Sequence, residues 1–119
     1  MNKHILVVDD ELEILDFVQP FLNEEGYDVR TTTSGSIVVQ HVELDHIDLI
    51  LLDIVLQGKD GRVISRQLKT NERTKHIPVI LFSAQVTRDN ALRESLADDF
   101  LGKPFDLCEL LEVIQQHLP

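Results

Sequence analysis

Four short apolar runs punctuate this chain, and each ends on a polar side chain fit for chemistry. Ile5-Leu6-Val7-Val8 runs into Asp9-Asp10, Leu49-Ile50-Leu51-Leu52 into Asp53, Val79-Ile80-Leu81-Phe82 into Ser83, and Phe100-Leu101-Gly102 into Lys103. Short, unbroken apolar runs read as strands of a parallel sheet covered on both faces. In an open parallel sheet all the carboxyl ends lie on one edge, where ligands bind. The pattern therefore gathers Asp9, Asp10, Asp53, Ser83 and Lys103 on a single rim. Such a group suits the handling of a phosphoryl group with a divalent cation.

Strand-like and helix-like segments alternate throughout, which indicates an α/β fold with right-handed crossovers. Strands are expected at about 4–9, 28–32, 48–53, 77–82 and 98–102, and helices at about 11–25, 35–45, 62–71, 87–95 and 106–118. Gly26 marks the end of the first helix, and the Thr-rich segment Val29-Arg30-Thr31-Thr32-Thr33 suits an edge strand. Gln57-Gly58-Lys59-Asp60-Gly61 has strong turn chemistry. In the last helix Leu107, Leu110, Leu111, Ile114 and Leu118 form one stripe for the sheet, with Cys108 as a half-buried thiol at its edge. Pro20 falls inside the first helix, where a kink is expected.

A chain of 119 residues has the size of one domain, expected to span 1–119. The net charge of −10 disfavours nucleic acid and anionic membrane, which are held by basic clusters. A single cysteine fits a reducing compartment, and no apolar stretch approaches the ~18 residues of a membrane span. These features predict a soluble cytoplasmic protein. The histidines (His4, His41, His46, His76 and His117) have no ligand spacing and read as solvated surface sites.

Each rim residue has a simpler local reading. Asp10 would cap the next helix, with Glu13 completing a capping box; Asp53 would bond its own loop; Ser83 would serve a turn; Lys103 would be an exposed lysine before proline. All of them converging on one rim is harder to explain that way. Two unit charges ~5 Å apart at an effective dielectric of ~20 repel by ~3 kcal/mol, so three carboxylates call for a cation. All-oxygen ligation with several waters describes Mg²⁺. A cis Lys103–Pro104 bond would be one way to aim the ammonium over the rim.

The whole chain resembles the receiver domain of bacterial two-component response regulators, most of all the stand-alone receivers of chemotaxis and sporulation phosphorelays. The match is carried by Val7-Val8-Asp9-Asp10, by Leu51-Leu52-Asp53 with Gly58 and Asp60-Gly61, by Ser83-Ala84, and by Asp98-Asp99-Phe100-Leu101-Gly102-Lys103-Pro104-Phe105. The resemblance implies a flavodoxin-like sheet of order 2-1-3-4-5 and makes Asp53 the phosphoacceptor. Asp10 and Asp53 would ligate Mg²⁺, with Asp9 acting through water and the Val55 carbonyl as a backbone ligand. Ser83 and Lys103 would each meet a phosphoryl oxygen, Phe100 would be the switch aromatic, and Lys103–Pro104 the family's cis peptide. The implied partners are a histidine kinase or histidine phosphotransfer protein and a downstream protein target, with the chain a monomer or weak dimer.

Departures from the family pattern set further expectations. Gln57 replaces a usual proline, so its loop is expected to be looser. Leu96 stands where glycine is usual, and would be strained by about 1–2 kcal/mol if positive φ is required. Val55 offers no polar group to an attacking water, which predicts slow hydrolysis of the aspartyl phosphate. Leu12 and Leu15 extend the apolar character of the first helix and would dock a helical phosphodonor. Other functions compete less well. A phosphate-independent interaction module would not need the full acidic and lysine set. An aspartyl phosphatase usually carries an acid where Val55 stands, and no Ser/Thr/Gly-rich loop follows the first strand to hold a flavin phosphate.

Overall fold

Side-chain alternation explains how the buried runs assemble in the computed structural model, which describes residues 2–118. The strands β1 (His4–Val8), β2 (Asp28–Thr32), β3 (Leu49–Asp53), β6 (Val79–Ser83) and β7 (Asp99–Gly102) pair in parallel in the order β2-β1-β3-β6-β7. That is the order 2-1-3-4-5 once a small hairpin is set aside, β4 (Val55–Leu56) against β5 (Lys59–Asp60). Successive side chains of a strand point to opposite faces. Ile5, Val7, Leu49, Leu51, Ile80 and Phe82 therefore share one face. It is covered by α1 (Leu12–Glu24) and α5 (Leu107–His117) through Leu15, Val18, Leu22, Leu110 and Ile114. Leu6, Val8, Ile50, Leu52, Val79 and Leu81 form the other face, under α2 (Val38–Leu44), α3 (Gly61–Thr70) and α4 (Arg88–Ser95). Every residue of β3 and β6 is buried, whereas β2 is part-exposed at the sheet edge.

Element ends follow local chemistry, and some differ from expectation. The pattern Asp-x-x-Glu occurs before both α1 and α5. At α5 it forms a capping box, with Asp106 accepting from Glu109 N–H at 2.8 Å and Glu109 accepting from Asp106 N–H at 3.4 Å. Before α1 it does not. The N-cap there is Glu11, and the Glu11 N–H is taken by Asp9 Oδ1 at 2.8 Å, which leaves the Asp10 carboxylate out of the cap. α1 runs unbroken through the exposed Pro20, since a bond lost on the solvent side can be replaced by water. It stops at Gly26, whose φ of +99° turns the chain so that Tyr27 N–H reaches the Leu22 carbonyl.

Three surface expectations need correction. Leu15 is a core residue with 5% exposure, whereas Leu12 is 64% exposed. Cys108 is exposed, because it lies beyond the edge of the α5 stripe that buries Leu110 and Ile114. The histidines are not all simply solvated: His41 and His117 pair with Asp45 and Asp99 at 3.0 Å, and His4 lies 3.7 Å from Asp28. Among the described residues, no helix is long and apolar enough to cross a membrane.

Candidate functional site

The carboxyl ends of β1, β3, β6 and β7 meet at an open cleft of about 150 Å³. Asp10, Asp53, Val55, Ser83 and Lys103 line it. Asp9 lies fully buried just beneath, and Asp53 and Ser83 are 3% exposed. One oxygen from each of Asp9, Asp10 and Asp53 lies within 4.8 Å of the others. Lys103 Nζ stands 2.9 Å from Asp9 Oδ2 and 3.5 Å from Asp53 Oδ2. It also sits 5.1 Å from the centre of the Phe82 ring, within reach of a cation–π attraction. The Lys103–Pro104 peptide is cis. Asp53 Oδ1 accepts a long bond from Val55 N–H at 3.3 Å, and Ser83 Oγ accepts from Gln85 N–H at 3.1 Å. Phe100 lies apart from the cleft, packed on the core cluster that includes Ala91 of α4.

Electrostatics set these groups against one another. Burial, then the charge of Asp9, pushes the Asp53 carboxyl up to about 7, against the pull of Lys103 and the Val55 N–H. Burial works against the Lys103 ammonium, but the bond to Asp9 and the charges of Asp53 and Asp9 outweigh it and hold its pKa above the ordinary lysine value. A single ammonium therefore faces more negative charge than it neutralises. The donors that converge are oxygens alone, without histidine or cysteine, which fits a hard divalent cation better than a transition metal. Asp10 is half-buried and, among the described residues, its carboxylate has no hydrogen-bond or ion-pair partner, so it is free to complete such a set.

Two cleft residues had no sequence signal. Glu11 Oε1 lies 3.2 Å from Lys103 Nζ, 92 positions away in the chain, and Gln85 lines the cleft along with Val55. The turn expected from Gln57 to Gly61 is part of a small hairpin after Asp53, with β4 against β5. Asp60 caps α3 through Arg62 N–H at 2.9 Å, and its carboxylate is gripped by the Arg62 guanidinium at 2.9 and 3.1 Å.

The family model for the response regulator receiver domain matches residues 5–115. The chain belongs to that family. Receivers are the signalling domains of two-component response regulators and are phosphorylated by histidine kinases. The response regulator PleD of Caulobacter vibrioides is 39% identical over 108 residues, covering 89% of this chain and 24% of PleD. The chain thus spans about a quarter of the length of that curated relative. Among solved structures, a response regulator receiver domain protein from Methanospirillum hungatei JF-1 superposes with a TM-score of 0.90 at 27% identity, covering 99% of this chain and 94% of that one. The receiver domain of the sensor histidine kinase PA1611 from Pseudomonas aeruginosa PAO1, solved with a magnesium ion in its active-site cleft, gives 0.88 at 28% identity, covering 99% and 98%. The receiver fold and sheet order expected from the sequence are those observed.

Proposed function

We propose that this receiver is a Mg²⁺-dependent switch phosphorylated on Asp53 by a histidine kinase or histidine phosphotransfer protein. The observation that carries the reading is the convergence of Asp9, Asp10 and Asp53 within 4.8 Å, with the Lys103 ammonium 3.5 Å from Asp53. In the transfer, the phosphorus–nitrogen bond of the donor phosphohistidine breaks as a bond forms to an Asp53 carboxylate oxygen, and the imidazole leaves. Such transfers depend on positioning and charge neutralisation more than on covalent help from the protein. Asp53 must be ionised to attack, yet its surroundings favour the proton up to about pH 7. Mg²⁺ held by Asp10, Asp53, the Val55 carbonyl and, through water, Asp9 would supply the missing positive charge, as the magnesium in the PA1611 cleft suggests.

Lys103 then meets one phosphoryl oxygen, and Ser83 leaves Gln85 N–H to meet another. Movement of Ser83 vacates space for Phe100, which couples the cleft to the face formed by α4, β7 and α5. Output is a contact with another protein, since the charge of −10 opposes nucleic acid. Val55 gives no polar help to an attacking water, so the phosphoryl group persists; a lifetime of seconds in the purified chain would contradict that. Incubation with acetyl phosphate and Mg²⁺, followed by intact mass measurement, tests the function. A phosphate-sized adduct lost in Asp53→Asn is expected. No adduct under any donor would favour an interaction module that signals without phosphate.

A further inference from the structure

α4 is held by different means at its two ends. At its C-terminal end, Ser65 Oγ donates to the Ser95 carbonyl and Arg66 Nη1 to the Glu94 carbonyl, both at 2.9 Å. Ser95 is fully buried at this end, and both donors belong to the neighbouring α3. In the first turn Ala91 is buried in the core, but among the described residues no side chain of α3 bonds the backbone there. Arg88, Asp89 and Asn90 are all exposed, and the Thr87 cap accepts from Asn90 N–H at 3.3 Å. Among the described residues, the side chain tying this turn to the sheet is Arg88. Its Nη1 lies 2.7 Å from Asp99 Oδ1 and 3.4 Å from the Phe100 carbonyl oxygen.

Asp99 is the centre of this contact. Its Oδ1 also accepts from Phe100 N–H at 2.8 Å, and its Oδ2 lies 3.0 Å from His117 Nε2 near the end of α5. β7 is the edge strand of the sheet, so one side of it has no strand neighbour. Arg88 and Asp99 take the carbonyl and N–H of Phe100 that a neighbouring strand would otherwise take. Burial works against the Asp99 carboxylate, but His117, the Phe100 N–H and Arg88 together hold its pKa below the ordinary value. One ionised carboxylate thus joins the start of α4, the backbone of Phe100 and the end of α5.

We infer that Arg88, Asp99 and His117 form a latch over Phe100, and that α4 pivots about its pinned C-terminal end when Arg88 releases Asp99. This rests on the phosphoacceptor reading and adds a control element to it. Ser83 Oγ here accepts from its own loop at Gln85, so the latched arrangement is the one that switching must leave. A latch that stabilises the resting arrangement slows phosphorylation by lowering the population of the competent one. The pair is partly solvated, with side-chain exposures of 57% for Arg88 and 13% for Asp99, so the effect is modest.

The test compares wild type, Arg88→Ala and Asp99→Asn, with Arg93→Ala as a control on the same helix. Two quantities are read: the rate of adduct formation at Asp53 with acetyl phosphate and Mg²⁺, and amide exchange along α4 without any donor, resolved by NMR. Arg88→Ala and Asp99→Asn should form adduct about two- to five-fold faster than wild type, the range expected for losing a partly exposed ion pair, while Arg93→Ala matches wild type. Exchange should accelerate at Ala91 and Leu92 and not at Ala97, whose N–H is held by Ser95 Oγ. Adduct forming at equal rates in wild type and Arg88→Ala overturns the latch alone. Equal acceleration along all of α4 overturns the pivot. No adduct in wild type overturns the phosphoacceptor reading itself, and the latch with it.

Discussion

Gly61 lies so close to the backbone carbonyl of Asp53 that no Cβ fits between them. Its N–H donates to the Ile54 carbonyl at 2.7 Å, which folds the hairpin after Asp53 back onto the strand end and starts α3 there. Gly61→Ala would push the Asp53 carbonyl and the Ile54 backbone aside. The expected outcome is a loss of about 1–3 kcal/mol, as in other overpacked sites, with slower labelling by acetyl phosphate. Urea denaturation measures the first effect, and an unchanged midpoint would contradict this packing.

Leu96 ends α4 in the left-handed region, with φ 60° and ψ 15°, and its side chain is 45% exposed. Strain of about 1–2 kcal/mol is stored there for a residue with a Cβ, while little burial compensates it. Leu96→Gly relieves the strain but frees the unfolded chain, so a net gain of about 0.5–1 kcal/mol is expected. A denaturation midpoint equal to or below that of wild type would show that the leucine is not strained.

Leu12 and Leu15 separate surface from core. Leu12→Asp should leave stability near wild type, because the side chain is 64% exposed. If Leu12 contributes to donor docking, the same change slows transfer from a cognate kinase while leaving acetyl phosphate labelling unchanged. Leu15→Asp buries an unpaired carboxylate against Val18 and Leu22 and should cost ~3 kcal/mol or more. A thermal melt of the two variants distinguishes them.

The pH dependence of stability follows from Asp53. In metal-free buffer its folded pKa is about 7, above the ordinary 3.8. Between those values the folded chain holds a proton that the unfolded chain has released, so the contribution of Asp53 becomes less favourable as pH rises from 4 to 7. Asp53→Asn lacks this penalty. It should match wild type near pH 4 and exceed it by roughly 2–4 kcal/mol above pH 7, with the gap narrowing when Mg²⁺ is added. Denaturation in chelator across this range checks the sign; a gap that is largest in acid would contradict it.

The sheet was legible because strands buried on both faces are unbroken apolar runs, and β3 and β6 are of that kind at every position before Asp53 and Ser83. The rim followed from parallel geometry once those runs were found. Other features depend on contacts that spacing does not encode. Leu12 and Leu15 lie near each other on the helix circumference, and periodicity alone does not say which borders solvent. The Asp-x-x-Glu pattern precedes two helices and caps one, because α1 starts one residue later, with Glu11 at its N-cap and Asp9 on the Glu11 N–H, and Asp10 is left outside the helix. Glu11 beside Lys103, and Arg88 and His117 on Asp99, join residues remote in sequence, with nothing local to mark them.

Everything proposed for the cleft depends on Asp53, among three clustered carboxylates, receiving the phosphoryl group. Borohydride reduces an aspartyl phosphate to homoserine, so treatment of the labelled chain followed by peptide mass mapping locates the acceptor. Homoserine is expected at position 53 alone, formed with Mg²⁺ and absent with chelator. Homoserine at position 9 or 10, or labelling of position 53 undiminished by chelator, would contradict it.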